Sequence, residues 1–363
     1  MSLRRAYPEA RIDWLVNAAF TDAVRHHPLL DGVVPFDRRR KAAVLPLLRR
    51  LRRARYDTAY DFQGLARSGL FTWATRAPVR VGSAQAAEAG WLGYNRRHRV
   101  DPARHAVDRM LALLDAQGVP RVDDLTLYVG DEDRQSIDAD LATRGLAPGR
   151  YACVAPTAQW GCKCWPLERY AQLTQRLLEQ PGLDHVFVLA APHERPRVEA
   201  GLTAALTPTQ REHTRTPPTT VGRLMALIQS ARLLVCNDSA PLHLAVGLDT
   251  PTVSLFGPTD PALTGPPPEV LGTRRSPNNA WADPRPDPVP AANTLLAARG
   301  HRVLRAPSAV GQTFNYRQHR DDPTLIAELS FDTVWAAVQD ALRAAPDRLA
   351  PSTGRPADRA SAP

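Results

Sequence analysis

The 363-residue chain holds little cysteine, almost no lysine and few aromatics, which make up 6% of it. Its four cysteines, Cys153, Cys162, Cys164 and Cys236, are too few and too unevenly spaced for a disulfide framework. No second ligand pair of finger-like spacing follows Cys162-x-Cys164, so the thiols read as reduced and no metal site is expected. No run of about 18 apolar residues occurs, which excludes a membrane-spanning helix. Met1 to Pro8 hold no apolar stretch of a secretory leader. A cytoplasmic location is expected. Zinc-finger spacing and aromatic-rich RNA-binding strands are also missing, so nucleic acid is not an expected partner.

What is present in excess is arginine. The formal net charge is +9, and Lys41 and Lys163 are the only lysines among 46 basic residues. Guanidinium forks match phosphate and carboxylate. Such a surface suits an acidic acceptor or an anionic membrane face. Codon bias accounts for the composition equally well, and a basic adaptor for nucleic acid or membrane stays open as an alternative.

Two βαβ-type alternations follow one another. In the first, strands are expected at 11–16, 32–36, 56–62 and 79–82, and helices at 38–55 and 105–116. In the second, strands are expected at 151–155, 185–190, 232–236 and 251–256, with helices at 166–180, 221–230 and 240–247. The Gly- and Pro-bearing stretch 145–150 reads as the connection, giving an N-terminal domain over 1–147 and a C-terminal one over 148–329. Residues 265–293 are dense in proline and read as an inserted loop. A helix over 330–343 presents Phe331, Val334, Trp335, Val338 and Leu342 on one face. The tail 344–363 reads as disordered.

The residues that suggest chemistry stand at strand ends of the second alternation. Val235-Cys236-Asn237-Asp238-Ser239-Ala240-Pro241-Leu242-His243 is an apolar strand running into a helix that Ser239 can cap and Pro241 can start. The amide groups and dipole of that helix start favour a diphosphate. His243 falls on the first turn, although an ordinary capped helix with a packed histidine has the same local sequence. Lys163, in Thr157-Ala158-Gln159-Trp160-Gly161-Cys162-Lys163, is a compact ammonium where arginine is the rule, as a phosphate held by a point charge would need. Thr157 and Gln159 offer hydrogen bonds at the same strand end. Glu194 follows the next strand and could accept from ribose or base. Thr259 and Asp260 follow the last one, in Phe256-Gly257-Pro258-Thr259-Asp260-Pro261. In an open parallel sheet all four turns lie on one rim.

The segments 236–245 and 256–261 resemble the donor-site signature of the bacterial ADP-heptose:lipopolysaccharide heptosyltransferases, glycosyltransferase family nine. Lys163-Cys164-Trp165-Pro166 is similar to the family's Lys-x-Trp-Pro element. Asp61-Phe62-Gln63-Gly64-Leu65 and Tyr94-Asn95-Arg96 are similar to the heptosyltransferase I branch. The resemblance implies an α/β GT-B fold, two Rossmann-like domains facing a cleft. It implies an inverting transferase with an ADP-heptose donor, an anionic Kdo-lipid A acceptor in lipopolysaccharide biosynthesis, and no metal or other cofactor. It places Lys163, Glu194, Asp238, Ser239, Ala240 and His243 at the donor, with Lys163 offsetting charge on the leaving diphosphate. Arg96 and the run Arg38–Arg40 would face the acceptor. A monomer in peripheral contact with the inner membrane is expected, with the final helix packing back across the domains. Family members open on a strand and a Gly-Asp loop that carries the general base. Met1 here falls inside the helix that follows, so the first strand is missing from this chain and no base is assigned. A start assigned too late is the expected reason, with real loss of this chemistry as the other. The alternatives are a non-catalytic nucleotide-sugar binder and a transferase for another sugar.

Overall fold

Apolar runs separated by polar turns build two parallel-stranded units in this computed structural model, which describes residues 1–267, 294–298, 300–312, 314 and 320–344. The first unit is Met1–Gly130 with short returns of the chain at Thr220–Gly222 and Asp260–Pro288. The second is Asp131–Thr219, Arg223–Thr259 and Val289–Pro363. The division falls at Gly130/Asp131 and not at 147/148, because the polar helix after Gly130 belongs with the second unit.

The first unit runs α1 (Ser2–Ala6), β1 (Asp13–Asn17), β2 (Gly32–Phe36), α2 (Val44–Arg53), β3 (Thr58–Asp61), α3 (Ala66–Ala74), β4 (Val79–Ser83), β5 (Arg96–His98) and α4 (Ala106–Asp115). β1 pairs with β2 and β3-β4-β5 form a second parallel sheet. The helix expected from 38 starts only at Val44. Asp37 accepts the Arg39 N–H at 2.8 Å, and this side-chain turn diverts the arginine run before the helix begins. α2 buries Leu47 and Leu51 against Val34 and Phe71. α3, unmarked by any clear period, lies against the turn 90–93 with no side chains between. A Cβ on Gly69 would strike the carbonyl of Gly90, and one on Gly93 would strike the carbonyl of Gly69.

The second unit contains α5 (Asp131–Ala142), β6 (Tyr151–Ala155), α6 (Leu167–Leu178), β7 (His185–Val188), α7 (Arg195–Ala205), α8 (Pro208–Glu212), β8 (Thr214–Arg215), α9 (Val221–Gln229), β9 (Leu233–Asn237), α10 (Ala240–Gly247) and β10 (Thr252–Phe256). α11 (Pro261–Thr264) follows in the first unit's returning segment, then β11 (Thr294–Ala298), β12 (His301–Arg305), α12 (Thr324–Ala327) and α13 (Phe331–Ala344) in the second. The sheet order is β11-β12-β10-β9-β6-β7-β8, parallel except for β11. Burial on both faces explains the unbroken apolar run at 151–155, while at 252–256 the equally buried Thr252 and Ser254 find hydrogen-bond partners in His301 and the Arg302 carbonyl. α13 packs on this unit's own core through Val334, Ala337, Val338 and Ala341. The strand expected to reach 190 ends at Val188. Most of the proline-dense stretch 265–293 and the tail after 344 lie outside the described residues.

Gly69→Ala should lower stability by about 1–3 kcal/mol, because backbone on both sides leaves no room for relaxation. Urea unfolding of the variant checks this. A midpoint equal to that of the wild type would show that the α3 contact is loose.

Candidate functional site

Four adjacent parallel strands, β7, β6, β9 and β10, end on the same rim of the second sheet. Each delivers the chain into a turn that carries expected residues: Thr157, Gln159 and Lys163 after β6, Glu194 after β7, Asp238 and Ser239 after β9, and Thr259 after β10. Chain order reverses between β6 and β9, since β7 and β8 lie to one side of β6 and β9 and β10 to the other. A crevice beyond the strand ends at such a reversal is where open α/β sheets hold ligands.

Lys163 and Asp238 meet at this reversal. The Lys163 Nζ lies 2.6 Å from Asp238 Oδ2, and the same oxygen accepts the Thr259 hydroxyl at 2.7 Å. The Asp238 side chain is 6% exposed and that of Lys163 14%. The ion pair is therefore largely sheltered from water. A short 3-10 turn, Gly161–Lys163, brings the lysine to the rim. Beyond it, Trp165 donates its backbone N–H to Asn237 Oδ1 at 3.2 Å and its indole N–H to the Leu329 carbonyl at 2.9 Å. Tyr170 donates its hydroxyl to the same Asn237 oxygen at 3.0 Å. Asn237 thus clamps the lysine loop to the end of β9. Gly257 lets the last turn pass this loop, because a Cβ there would lie 2.9 Å from the Cys162 carbonyl.

Ser239 occupies the N-cap position of α10, but its side chain does not cap the helix. The hydroxyl donates instead to the Asn237 carbonyl at 3.3 Å. The capping bond expected from the sequence is not made, and the first amide of the helix, that of Ala240, has no partner within the helix ladder. His243 stands exposed one turn in. Desolvation by the surrounding protein holds its pKa below the usual histidine value; Asp238 opposes that shift and Lys163 adds to it. Thr157 is buried, Gln159 exposed and Glu194 half-buried at the N-cap position of α7. Arg96, on β5, and Arg38–Arg40 are exposed on the first unit.

The first unit holds a second built feature. Asp61 ends β3 and accepts the N–H groups of Gln63 and Gly64 at 2.9 and 3.0 Å, which shapes the Asp-Phe-Gln-Gly turn. Its other oxygen accepts the buried Tyr94 hydroxyl at 2.6 Å. Burial, and then Asp61, push the Tyr94 phenol well above its ordinary pKa.

The chain as a whole is similar to known proteins. The sequence model of glycosyltransferase family 9 (heptosyltransferase) matches residues 44–283. The chain belongs to this family. The glycosyltransferase is 30% identical to lipopolysaccharide heptosyltransferase 1 of Pseudomonas aeruginosa over 72% of the chain and 74% of the relative. It is 29% identical to lipopolysaccharide heptosyltransferase 2 of Salmonella typhimurium over 73% of the chain and 79% of the relative. Identity therefore does not choose between the two branches. Among solved structures, Escherichia coli ADP-heptose lps heptosyltransferase II superposes with a TM-score of 0.70 at 21% identity, covering 94% of this chain and 92% of that one. E. coli heptosyltransferase WaaC with ADP gives 0.62 at 22%, covering 95% and 92%. The fold is that of these GT-B enzymes.

Asn237, Trp165 and Tyr170 hold the lysine loop of this transferase and were not among the expected site residues. An asparagine closing the apolar run Leu-Leu-Val-Cys was the available signal. Asn237→Ala should cost about 2 kcal/mol, because it leaves a buried N–H and a buried O–H without an acceptor. Chemical unfolding measures this, and a loss below a few tenths would show that the clamp carries no energy.

Proposed function

We propose that this glycosyltransferase moves heptose from ADP-heptose onto the Kdo-lipid A inner core of lipopolysaccharide, with inversion at the anomeric carbon. The observation that carries the reading is the Lys163 ammonium held 2.6 Å from Asp238 beside the start of α10. In the proposed step an acceptor hydroxyl oxygen bonds to the anomeric carbon and gives up its proton to water as the bond from that carbon to the diphosphate breaks. Negative charge then grows on the leaving ADP, and Lys163 with the amide end of α10 offsets it. Asp238 and Thr259 hold the ammonium in place, while Thr157, Gln159, Glu194, Ser239, Ala240 and His243 surround the donor. No metal is needed in this scheme.

Relatives support the donor and acceptor. The matching curated proteins are lipopolysaccharide heptosyltransferases, and WaaC has been solved with ADP-2-deoxy-2-fluoro heptose. The reading also includes a monomer working from the cytoplasm against a lipid-anchored acceptor, which Arg96 and Arg38–Arg40 would meet. None of the described helices is long and apolar enough to cross a membrane, so contact with the bilayer would be peripheral.

Lys163→Ala should lower the rate of heptose transfer by roughly a hundredfold, as loss of a group that stabilises a developing anion does. Lys163→Arg should restore little of it, because a planar fork does not replace a point charge. Asp238→Ala should weaken ADP-heptose binding, read by calorimetry. Unchanged kinetics in all three variants would defeat the site, and donor binding without any transfer would defeat the reaction.

A further inference from the structure

The lysine loop has a second support besides Asn237, the stretch 320–329 that leads into α13. Cys162 donates its backbone N–H to the Arg320 carbonyl at 2.8 Å, and the Trp165 indole donates to the Leu329 carbonyl at 2.9 Å. The two backbones run close between these bonds, since a Cβ on Gly161 would lie 3.1 Å from the Asp321 Cα. The same stretch reaches the turn after β10, where a Cβ on Gly257 would lie 3.0 Å from the Ile326 Cβ. Ile326 and Leu329 anchor it in the core, and its polar anchor is Arg169 of α6. The Arg169 Nη1 donates to the Ala327 carbonyl at 2.7 Å and to the Leu329 carbonyl at 2.5 Å. Ala327 ends α12, so its carbonyl has no partner in the helix ladder. The guanidinium carbon also stands 5.8 Å from the centre of the Trp165 ring. The described partners of this half-buried cation are thus carbonyls and a ring, with no carboxylate among them.

We propose that Arg169 is a positioning residue for the transfer step: by gripping 320–329 it fixes the backing of the lysine loop, and with it the place of the Lys163 ammonium. Asp238 and Thr259 converge on the ammonium end, but neither holds the backbone of the loop. That backbone is tied to 320–329 at Cys162 and Trp165, the residues on either side of the lysine and its neighbour. The Leu329 carbonyl accepts from both Arg169 and Trp165, so a displacement there is passed to a residue two positions from Lys163. A guanidinium nitrogen suits the task because its two hydrogens serve the two carbonyls, and a charged donor makes the stronger bond. A misplacement of about 1 Å in a group that meets developing charge slows a reaction many-fold. The inference rests on the proposed role of Lys163 for its effect on rate, while the place of Lys163 can be read without any reaction.

Lys41 and Lys163 are the only lysines, so the full chain labelled with carbon-13 lysine gives two sets of side-chain NMR signals, assigned by their loss in Lys163→Ala. Arg169→Met keeps the stem and removes the donors. It should move the Lys163 signals and leave those of Lys41 in place. In heptose transfer the same variant should lower kcat roughly tenfold and change KM for ADP-heptose less than about twofold. Arg169→Lys, whose ammonium still offers donors to both carbonyls, should recover most of that rate. The deciding comparison is Arg169→Met in the Lys163→Ala background. An effect transmitted through Lys163 vanishes there, whereas a general loosening of the fold costs the same factor in both backgrounds. Circular dichroism and thermal melting check folding. Where Arg169→Met does not fold, Trp165→Phe, which removes the indole donor and keeps a ring, takes its place and should move the same signals. Lys163 signals at their wild-type positions in the variant, an equal loss of rate in both backgrounds, or a loss confined to KM overturns the proposal. A wild-type chain that transfers no heptose, with Lys163 signals that move in Arg169→Met, counts against the proposed function and supports the positioning of Lys163 by Arg169.

Discussion

A carboxylate that is 94% removed from water, holding an ammonium at 2.6 Å and a hydroxyl at 2.7 Å on one oxygen, is a poor way to gain stability. Desolvating the two charges costs several kcal/mol per ion, and their attraction returns about as much. Packed apolar side chains of the same volume would serve the fold as well. What the pair supplies is position. The ammonium cannot swing into solvent, because Asp238 and the clamped loop around Lys163 fix both ends of the contact. A cation held in this way would need no reorganisation in the proposed transfer, where negative charge grows on the leaving diphosphate.

Sheet order makes the pair possible. Lys163 and Asp238 are 75 residues apart in the chain. They become neighbours because β6 and β9 pair directly, Ala155 beside Cys236 at their ends. The chain places β7 and β8 on one side before crossing back to lay β9 on the other. The turns after β6 and β9 therefore leave from adjacent strand ends with no strand between them. Asn237, the last residue of β9, gives its oxygen to the lysine loop, while Asp238, the next, gives its carboxylate to the lysine itself. One strand end thus supplies both the support and the charge. Thr259 arrives from β10 on the far side and completes the hold on Asp238.

Much of this was legible because β6 and β9 are buried on both faces and read as mainly apolar runs. The strand 151–155 and the helix 240–247 have the bounds their sequences suggest, the second marked by Pro241 near its start. Other elements were hidden for identifiable reasons. β12 reads His-Arg-Val-Leu-Arg, yet all five residues are buried. His301 shares a hydrogen bond with Thr252, and Arg302 pairs with Asp340 at 2.6 Å. Tertiary partners there absorb polarity that local pattern assigns to solvent. α5 is acidic along its length and buries only Asp133, Ile137 and Leu141, which displaced the expected domain boundary. In the site, Lys163 stood out by rarity. The missing side-chain cap at Ser239 could not be read, because cap position and cap hydrogen bond have the same sequence signal.

The choice of lysine at position 163 follows from the geometry of its acceptor. A guanidinium binds best when two oxygens in one plane face its two N–H groups. Arg150 has that arrangement with Asp184, reaching both carboxylate oxygens at 2.6 and 2.7 Å. At Asp238, Lys163 and Thr259 converge on a single oxygen, and the carboxylate sits among turns from three strands. A compact ammonium satisfies that oxygen from one direction and still presents charge to the rim. In a chain that fills nearly every other basic position with arginine, this one-oxygen geometry at Asp238 suits a lysine.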